Sequence, residues 1–495
     1  MSAMDPALDR LTEEQVLAAG TPEPMVYIEA YPGSGKTTVA SQRYGALRYS
    51  RHPHAPGQGV IALSFTRAAT AELRGRVESS WGPTAILGAH RIVTLDSLIA
   101  DLFLDLLRAG LIAWPNGHTE LEILDTWTMR LAHRSMLFQS ELVLIDAVVT
   151  PIRTFASRRL NPMQADYVAE VGKGVCTHDD LRRLLTLAAK LPGVVDRLRA
   201  RLTSTVSAMV VDEIFDANRL DLAVVRLAAN AGIPVTVVGD PWQALYGFRG
   251  AEPELVPDVI DKIGMRRLPL TRSFRWQTDE QAQLAADLRA SLPVQLPTGC
   301  AADVEVVLAH QWEHLWDVGA EVLPTSFKPQ AGSPEQAAAT LLLNRLTSSR
   351  LGQPATYLAD ALLTLQMSGP DALERLEPAL DRILARIVDG DEATAKKIWP
   401  EFVEVLATEA QRDIKTNSHP NYWRRLVQIA DRARQTRLVP GMTVHQAKGR
   451  EWSTVGMRMT EEDVALLGAG LTAETEIGRQ LYVALTRARR RAVAI

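Results

Sequence analysis

Apolar residues along the chain fall into short blocks set between polar stretches, and their spacing predicts strands alternating with helices. Met25-Val26-Tyr27-Ile28-Glu29 reads as a strand, and Thr38-Val39-Ala40-Ser41-Gln42 as the beginning of a helix. Ser207-Ala208-Met209-Val210-Val211 is a second strand-like run and ends in Asp212-Glu213. Ile233 to Val238 is a third, and Leu220 to Ala231 has helical spacing. This alternation predicts a parallel sheet with crossover helices. Later, Val304–Leu308 and Ala338–Leu343 read as strands of a second such fold. Two long stretches, about 98–205 and 350–437, read as helical; the first is rich in Leu, Ala and Arg. No run of about 18 apolar residues occurs, so no membrane-spanning helix is expected.

Composition narrows this picture in three places. At 495 residues the chain is too long for one domain. Cys176 and Cys300 are the two cysteines, too far apart for metal spacing, which suits a reducing cytoplasm and argues against zinc, an iron–sulfur cluster or a disulfide framework. The start of the chain lacks a basic-then-apolar leader, so a cytoplasmic protein is expected. The net charge of −4 gives no support for nucleic-acid binding, yet a groove can be basic locally. Arg487, Arg489, Arg490 and Arg491 form the densest basic cluster; taken alone it reads as a solvated helix face.

Between the first strand and the first helix lies Ala30-Tyr31-Pro32-Gly33-Ser34-Gly35-Lys36-Thr37. Glycines there let several backbone N–H groups converge on a phosphate, and the helix N-terminus adds its positive dipole end. Lys36 reaches toward the β- and γ-phosphates and the Thr37 hydroxyl is suited to Mg²⁺. The pattern usually begins with Gly; Ala30 is a small substitute. Asp212, at the end of a buried strand, suits Mg²⁺, and Glu213 suits activation of the attacking water. Lys36, Asp212 and Gln243 all fall at carboxyl ends of predicted strands, where ligands of parallel sheets sit. One nucleotide site accounts for all three.

The motif order resembles the UvrD/Rep/PcrA branch of superfamily 1 DNA helicases from residue 11 to about 492. Leu11-Thr12-Glu13-Glu14-Gln15 is similar to the Q motif, Ser64 to Ala69 to motif Ia, Val93 to Ser97 to motif Ib, and Asp212 to Asp216 to motif II. Gly239 to Ala251 matches motif III closely. Leu270 to Arg275 resembles motif IV, Thr443 to Trp452 motif V, and Glu476, Arg479 and Leu481 to Arg489 motif VI. The Ser-Phe-Arg and His-Gln-Ala-Lys-Gly variants are similar to those of the F-box DNA helicase and small bacterial UvrD-like proteins. Three departures stand out: Phe215 for a Gln that couples ATP to DNA, Ala68 for a Lys, and Thr38 for an Arg.

The resemblance implies an α/β protein with two RecA-like P-loop domains, each carrying a mainly helical insertion. It implies residues 1–97 and 206–268 as the first RecA-like domain and 98–205 as its 1B-like insertion. Residues 269–349 and 438–495 would form the second, with 350–437 a small 2B-like insertion. Gln15 and Phe274 are implied at the adenine, Thr38 and Glu451 near the nucleotide, Gln243 as γ-phosphate sensor, and Arg275 and Arg487 as cations from the second domain that complete the site. Phe65, Thr66, Arg67, Thr94, Ser97, Tyr246, Phe248, Arg249 and His445 are implied to contact single-stranded DNA, with Trp242 a packing residue. The expected activity is ATP-dependent 3′→5′ helicase or translocase action on single strands and single-strand/duplex junctions. The alternative is a DNA-sensing ATPase that strips proteins or gates a partner nuclease, as in the Gabija antiphage system. A nuclease or repair protein is the expected partner class. The chain ends one strand past motif VI, so no fused C-terminal nuclease is expected.

Overall fold

The computed structural model describes residues 11–50, 55–328, 333–367, 371–411, 413–416 and 420–495, without the side chains of Arg158, Phe248, Arg249 and Pro420. The chain divides into two compact units, one up to Phe274 and one from Arg275. It is a mixed α/β protein, and each unit is built on a parallel sheet.

The first unit contains β1 (Met25–Ala30), β2 (Gly59–Ser64), β3 (Arg91–Thr94), β4 (Glu122–Leu124), β5 (His133–Ile145), β6 (Val148–Pro162), β7 (Val175–Thr177), β8 (Val206–Val211), β9 (Val235–Gly239) and β10 (Arg266–Leu270). Six of them form a sheet in the order β10-β1-β9-β8-β2-β3, every pair parallel. Strand period sorts the apolar side chains onto two faces. Val26, Ile28, Val60, Ala62 and Val210 pack beneath the helices Lys36–Arg48 and Arg67–Trp81. Tyr27, Ile61, Leu63, Met209 and Val237 face the helix Arg219–Asn230 and the larger core on the opposite side.

The stretch expected to be a helical insertion is only partly helical. After the helix Leu95–Arg108 the chain forms the β4·β7 pair and a long antiparallel hairpin, β5·β6, before the helices Gln164–Val171, His178–Ala188 and Val194–Thr205. Ile145 pairs with Val148, leaving Asp146 and Ala147 as a two-residue turn with φ of 49° and 62°. Such turns favour Asn-Gly or Asp-Gly because both central residues need positive φ. Asp-Ala lacks that signal, which is why helical composition misled.

The second unit contains β11 (Val306–Ala309), β12 (Val322–Pro324), β13 (Val439–Thr443), β14 (Trp452–Met457) and β15 (Ala488–Ala494), all parallel in the order β12-β13-β11-β14-β15. Ala338–Leu343, expected as a strand, lies within the helix Pro334–Leu351. That helix is buried on nearly all sides from Ala337 to Leu343, so its apolar run has no period to read. The caps were the better signal: the Ser333 hydroxyl accepts the Gln336 N–H, Pro334 opens the helix, and Gly352 ends it at φ 67°. Helices Ala372–Val388, Glu392–Leu406 and Pro420–Ala433 pack with it around Trp399, Phe402 and Leu426.

Candidate nucleotide site

Because the six strands are parallel, the segments following Ala30, Ser64, Thr94, Val211, Gly239 and Leu270 all leave one edge of the sheet. Every first-unit candidate except Gln15 lies on these segments. Gln15 reaches the same edge from the helix Glu13–Gly20.

The loop from Ala30 to Thr37 turns through two left-handed glycines, Gly33 at φ 72° and Gly35 at φ 82°. A Cβ on Gly35 would lie 2.8 Å from Gln15 Nε2, so the position needs glycine for space as well as conformation. Gln15 is buried; its Nε2 donates to the Ser34 carbonyl at 2.8 Å and its Oε1 accepts the Thr12 N–H at 2.9 Å. Tyr31 N–H donates to Leu270 O at 3.1 Å, and Phe274 N–H to Gly33 O at 2.9 Å. Phe274 itself is 53% exposed, beneath the Arg272 guanidinium. The Q-motif residue, the loop and the aromatic expected at adenine are thus hydrogen-bonded into one assembly.

Among the described residues, the N–H groups of Gly35, Lys36, Thr37 and Thr38 donate to no backbone acceptor. Ser34 Oγ and Ser64 Oγ are buried without a hydrogen-bond partner. Lys36 Nζ lies 3.7 Å from Glu213 Oε1. Asp212 follows β8, donates its N–H to Leu63 O at 2.9 Å, and is only 4% exposed. Burial, reinforced by Glu213 and opposed by Lys36, pushes its pKa up to about 7. Glu213 sits at φ 57°, unusual for a residue with a Cβ, and its N–H donates to Asp212 Oδ1 at 3.0 Å. Unspent donors, buried hydroxyls and an acidic pair beside a lysine fit a triphosphate and its divalent cation.

Gln243 is buried, its Nε2 donating to Asp240 Oδ2 at 2.6 Å. Asp240 also accepts the Trp242 N–H at 3.2 Å, so it fixes the turn that presents Gln243. Thr66 caps the helix Arg67–Trp81 through the Ala69 N–H, and Thr94 caps Leu95–Arg108 through the Ser97 N–H, with Ser97 Oγ 2.8 Å away. Arg67 pairs with Asp125. Phe65 is partly buried against the core, Tyr246 is half-buried, and the side chains of Phe248 and Arg249 lie outside the described residues. Of the three departures, Phe215 is buried 6.2 Å from Tyr27, in space that a Cβ on Gly239 would enter. Ala68 is exposed, and Thr38 Oγ1 accepts from Arg76 at 3.0 Å.

In the second unit, Arg275 Nε donates to Glu451 Oε1 at 2.7 Å and its Nη1 to Thr486 O at 2.9 Å. The Trp452 N–H donates to Arg487 O at 3.1 Å, so Arg275, Glu451 and Arg487 gather where β14 and β15 begin. Arg487 is 2% exposed, with Nε donating to Val483 O at 3.1 Å. His445, half-buried in the short helix Val444–Ala447, follows β13 at the opposite edge of that sheet.

Residues 11–107 and 156–263 match the model of the UvrD/REP helicase N-terminal domain. The chain is UvrD-like. The unmatched span between those two segments carries β4, β5 and the first half of β6. The UvrD-like chain is 25% identical to the ATP-dependent DNA helicase UvrD2 of Mycobacterium tuberculosis, over 98% of its own length and 78% of that protein. It is 25% identical to the ATP-dependent DNA helicase srs2 of Schizosaccharomyces pombe over 54% of its length and 33% of that protein. With DNA helicase II of Escherichia coli the identity is 26% over 54% and 39%. It therefore spans about a third of the yeast protein's length, and more than three quarters of the mycobacterial one's. No helix among the described residues is long and apolar enough to cross a membrane.

Residues that motif reading passed over also shape this UvrD-like site. Arg43, buried on the phosphate-loop helix itself, donates to Thr236 Oγ1 at 3.1 Å and to the carbonyls of Ala19, Thr21 and Glu23. Burial lowers its pKa to about 10. Glu14 accepts the Thr271 N–H and hydroxyl, both at 2.7 Å, tying the Gln15 helix to the segment before Phe274. A lone Arg within an apolar helix face was the available signal for the first; nothing local marks the second.

Proposed function

We propose that this UvrD-like chain is an ATP-dependent DNA helicase or translocase that moves 3′→5′ on single-stranded DNA and separates strands at single-strand/duplex junctions. The observation that carries the reading is the edge of the first sheet, where unspent phosphate-loop donors, Lys36, Asp212 and Glu213 meet. Lys36 and the loop N–H groups hold the phosphates; Thr37 and Asp212 hold Mg²⁺; Glu213 takes the proton of the attacking water. Bound Mg²⁺ supplies charge neutralisation on the phosphate oxygens. Arg275 and Arg487 are proposed to add positive charge as the γ-phosphate leaves, and Gln243 to sense it. The helicase names of the relatives support the DNA substrate.

Lys36→Ala is expected to abolish ATP hydrolysis and leave the fold intact, since Lys36 opens the phosphate-loop helix and is not among its core residues. Steady-state ATPase with and without a single-stranded oligonucleotide, beside strand displacement on 3′- and 5′-tailed duplexes, tests the rest. DNA-stimulated turnover with unwinding of only the 3′-tailed duplex is the expected result. Turnover without unwinding of either would instead indicate a DNA-sensing or protein-stripping ATPase. Near-normal turnover in Lys36→Ala would overturn the reading.

A further inference from the structure

The second unit holds a cleft of about 500 Å³, lined from the first turns of the helices Pro334–Leu351 and Pro420–Ala433 together with Lys328, Ser333 and Lys415. Lys328, Lys415, Arg424 and Arg425 supply four cationic side chains, and Glu335 the one carboxylate. That carboxylate bonds to Ser333 and to the Lys415 backbone within the cleft and attracts the Lys415 side chain. Against its burial, hydrogen bonds from Ser333 and from the Lys415 N–H, the latter 3.1 Å from Oε1, hold its pKa below the ordinary range.

None of the four cations forms an ion pair among the described residues. Elsewhere in the same unit Arg345, Arg375, Arg386 and Arg434 each face an Asp or Glu. Arg425 is half-buried with its guanidinium 5.0 Å from the centre of the Phe327 ring, and burial lowers its pKa. Burying an uncompensated cation is costly, and an anion in the cleft would remove that cost. Two helix N-termini add positive potential to the same space.

We propose that this cleft is a second ligand site, built from other residues than the phosphate loop, that binds a phosphate-bearing small molecule of nucleotide size. Its volume falls in the range of small-ligand pockets, roughly 300–1,000 Å³. Arginine forks and lysines match phosphate oxygens by charge-assisted hydrogen bonds. A passing DNA strand fits less well, because it needs successive open aromatic platforms. Here the Tyr422 ring is already stacked on Trp399, 5.4 Å away at 25°.

The test is binding stoichiometry on the full chain, by calorimetric titration with a non-hydrolysable ATP analogue and with inorganic triphosphate. Wild type is expected to show two sites for the analogue. Lys328→Glu/Arg424→Glu, both at exposed positions, should retain one and lose affinity at the other about ten- to a hundredfold, the scale of a lost charge-assisted hydrogen bond. Its ATP turnover should match wild type, and inorganic triphosphate should compete for the lost site. A single analogue site on wild type, or two equal sites on the charge-reversed variant, would sink the proposal. So would loss of oligonucleotide binding with no nucleotide site lost, which would make the cleft a strand site. If the double variant melts early, Lys415→Glu, also exposed, decides by the same titration. ATP turnover is read separately, so failure here leaves the phosphate-loop reading untouched, and the reverse holds.

Discussion

The two parallel sheets present carboxyl edges of opposite electrostatic character. At the first, Asp212 is buried beside Glu213 with its pKa driven up to about 7, and the loop N–H groups donate to no backbone acceptor among the described residues. At the second, His310 follows β11 and is clamped between Gln480 and Asp463, its Nε2 2.9 Å from Asp463 Oδ1. Both ring nitrogens face oxygen acceptors, as a charged imidazolium requires. Burial opposes the charge on both residues, yet their mutual hydrogen bond and attraction hold His310 above its ordinary pKa and Asp463 below its own. The same layer architecture thus leaves charge unsatisfied at one edge and satisfied at the other. Unsatisfied buried charge costs stability and is kept where a ligand arrives; satisfied charge holds the fold together. In the second unit Arg275, Glu451 and Arg487 instead collect at the amino ends of β14 and β15, away from the edge that ligands of such sheets usually occupy.

The contrast breaks first at Arg487. If the second unit contributes to hydrolysis, Arg487→Ala should lower kcat by roughly 10³–10⁵ with little change in nucleotide binding, because the guanidinium acts mainly on transition-state charge. Wild-type kcat in that variant would confine the chemistry to the first sheet. Next, Asp212→Asn should cost about a thousandfold in turnover, the loss of a metal-held charge. Measured without nucleotide or Mg²⁺, the same change should raise unfolding free energy by about 1 kcal/mol, since a buried carboxylate only partly offset by Lys36 disappears. The sign has a pH signature: a carboxyl whose folded pKa is raised loses stability as pH climbs from about 4 to about 7, and that slope should flatten in Asp212→Asn. Urea melts at several pH values check both.

A stability effect of about 3–5 kcal/mol is expected for Arg182→Ala. Arg182 Nε donates to Asp96 at 2.6 Å and Nη1 to the buried Asp221 at 2.7 Å, so its loss strands a carboxylate with no ligand to offset it. An unchanged urea midpoint would show that Asp221 finds another partner. A smaller loss of stability belongs to the second sheet. His310→Gln should cost about 1–3 kcal/mol with ATP turnover unaltered. The contribution of His310, whose folded pKa is raised, is fully present below about pH 6.5 and is lost as pH rises through that folded value. That of Asp463, whose folded pKa is depressed, is present above about pH 4 and is lost as pH falls through the folded value. The difference between wild type and variant should therefore peak between about pH 4 and 6.5 and shrink on the alkaline side.

Local sequence determined the features that depend on neighbours along the chain. The strand from Met25, the left-handed glycines of the phosphate loop, the helix it opens and the strand delivering Asp212 follow from apolar period and glycine placement. The alternation of strand and helix likewise carried the parallel α/β class. Only the tertiary structure decided what depends on distant partners. Ala338–Leu343 shows no period because its helix is buried all round, and His133–Pro162 is a hairpin whose turn is Asp-Ala. Whether a charge is satisfied also lies beyond local sequence. Asp212 and Asp463 are the same residue type near the ends of strands in similar sheets, and their pKa values move in opposite directions. The cause is what folding places around each: a dry interior, added to the repulsion of its chain neighbour Glu213, for one, and His310 from 153 residues away for the other.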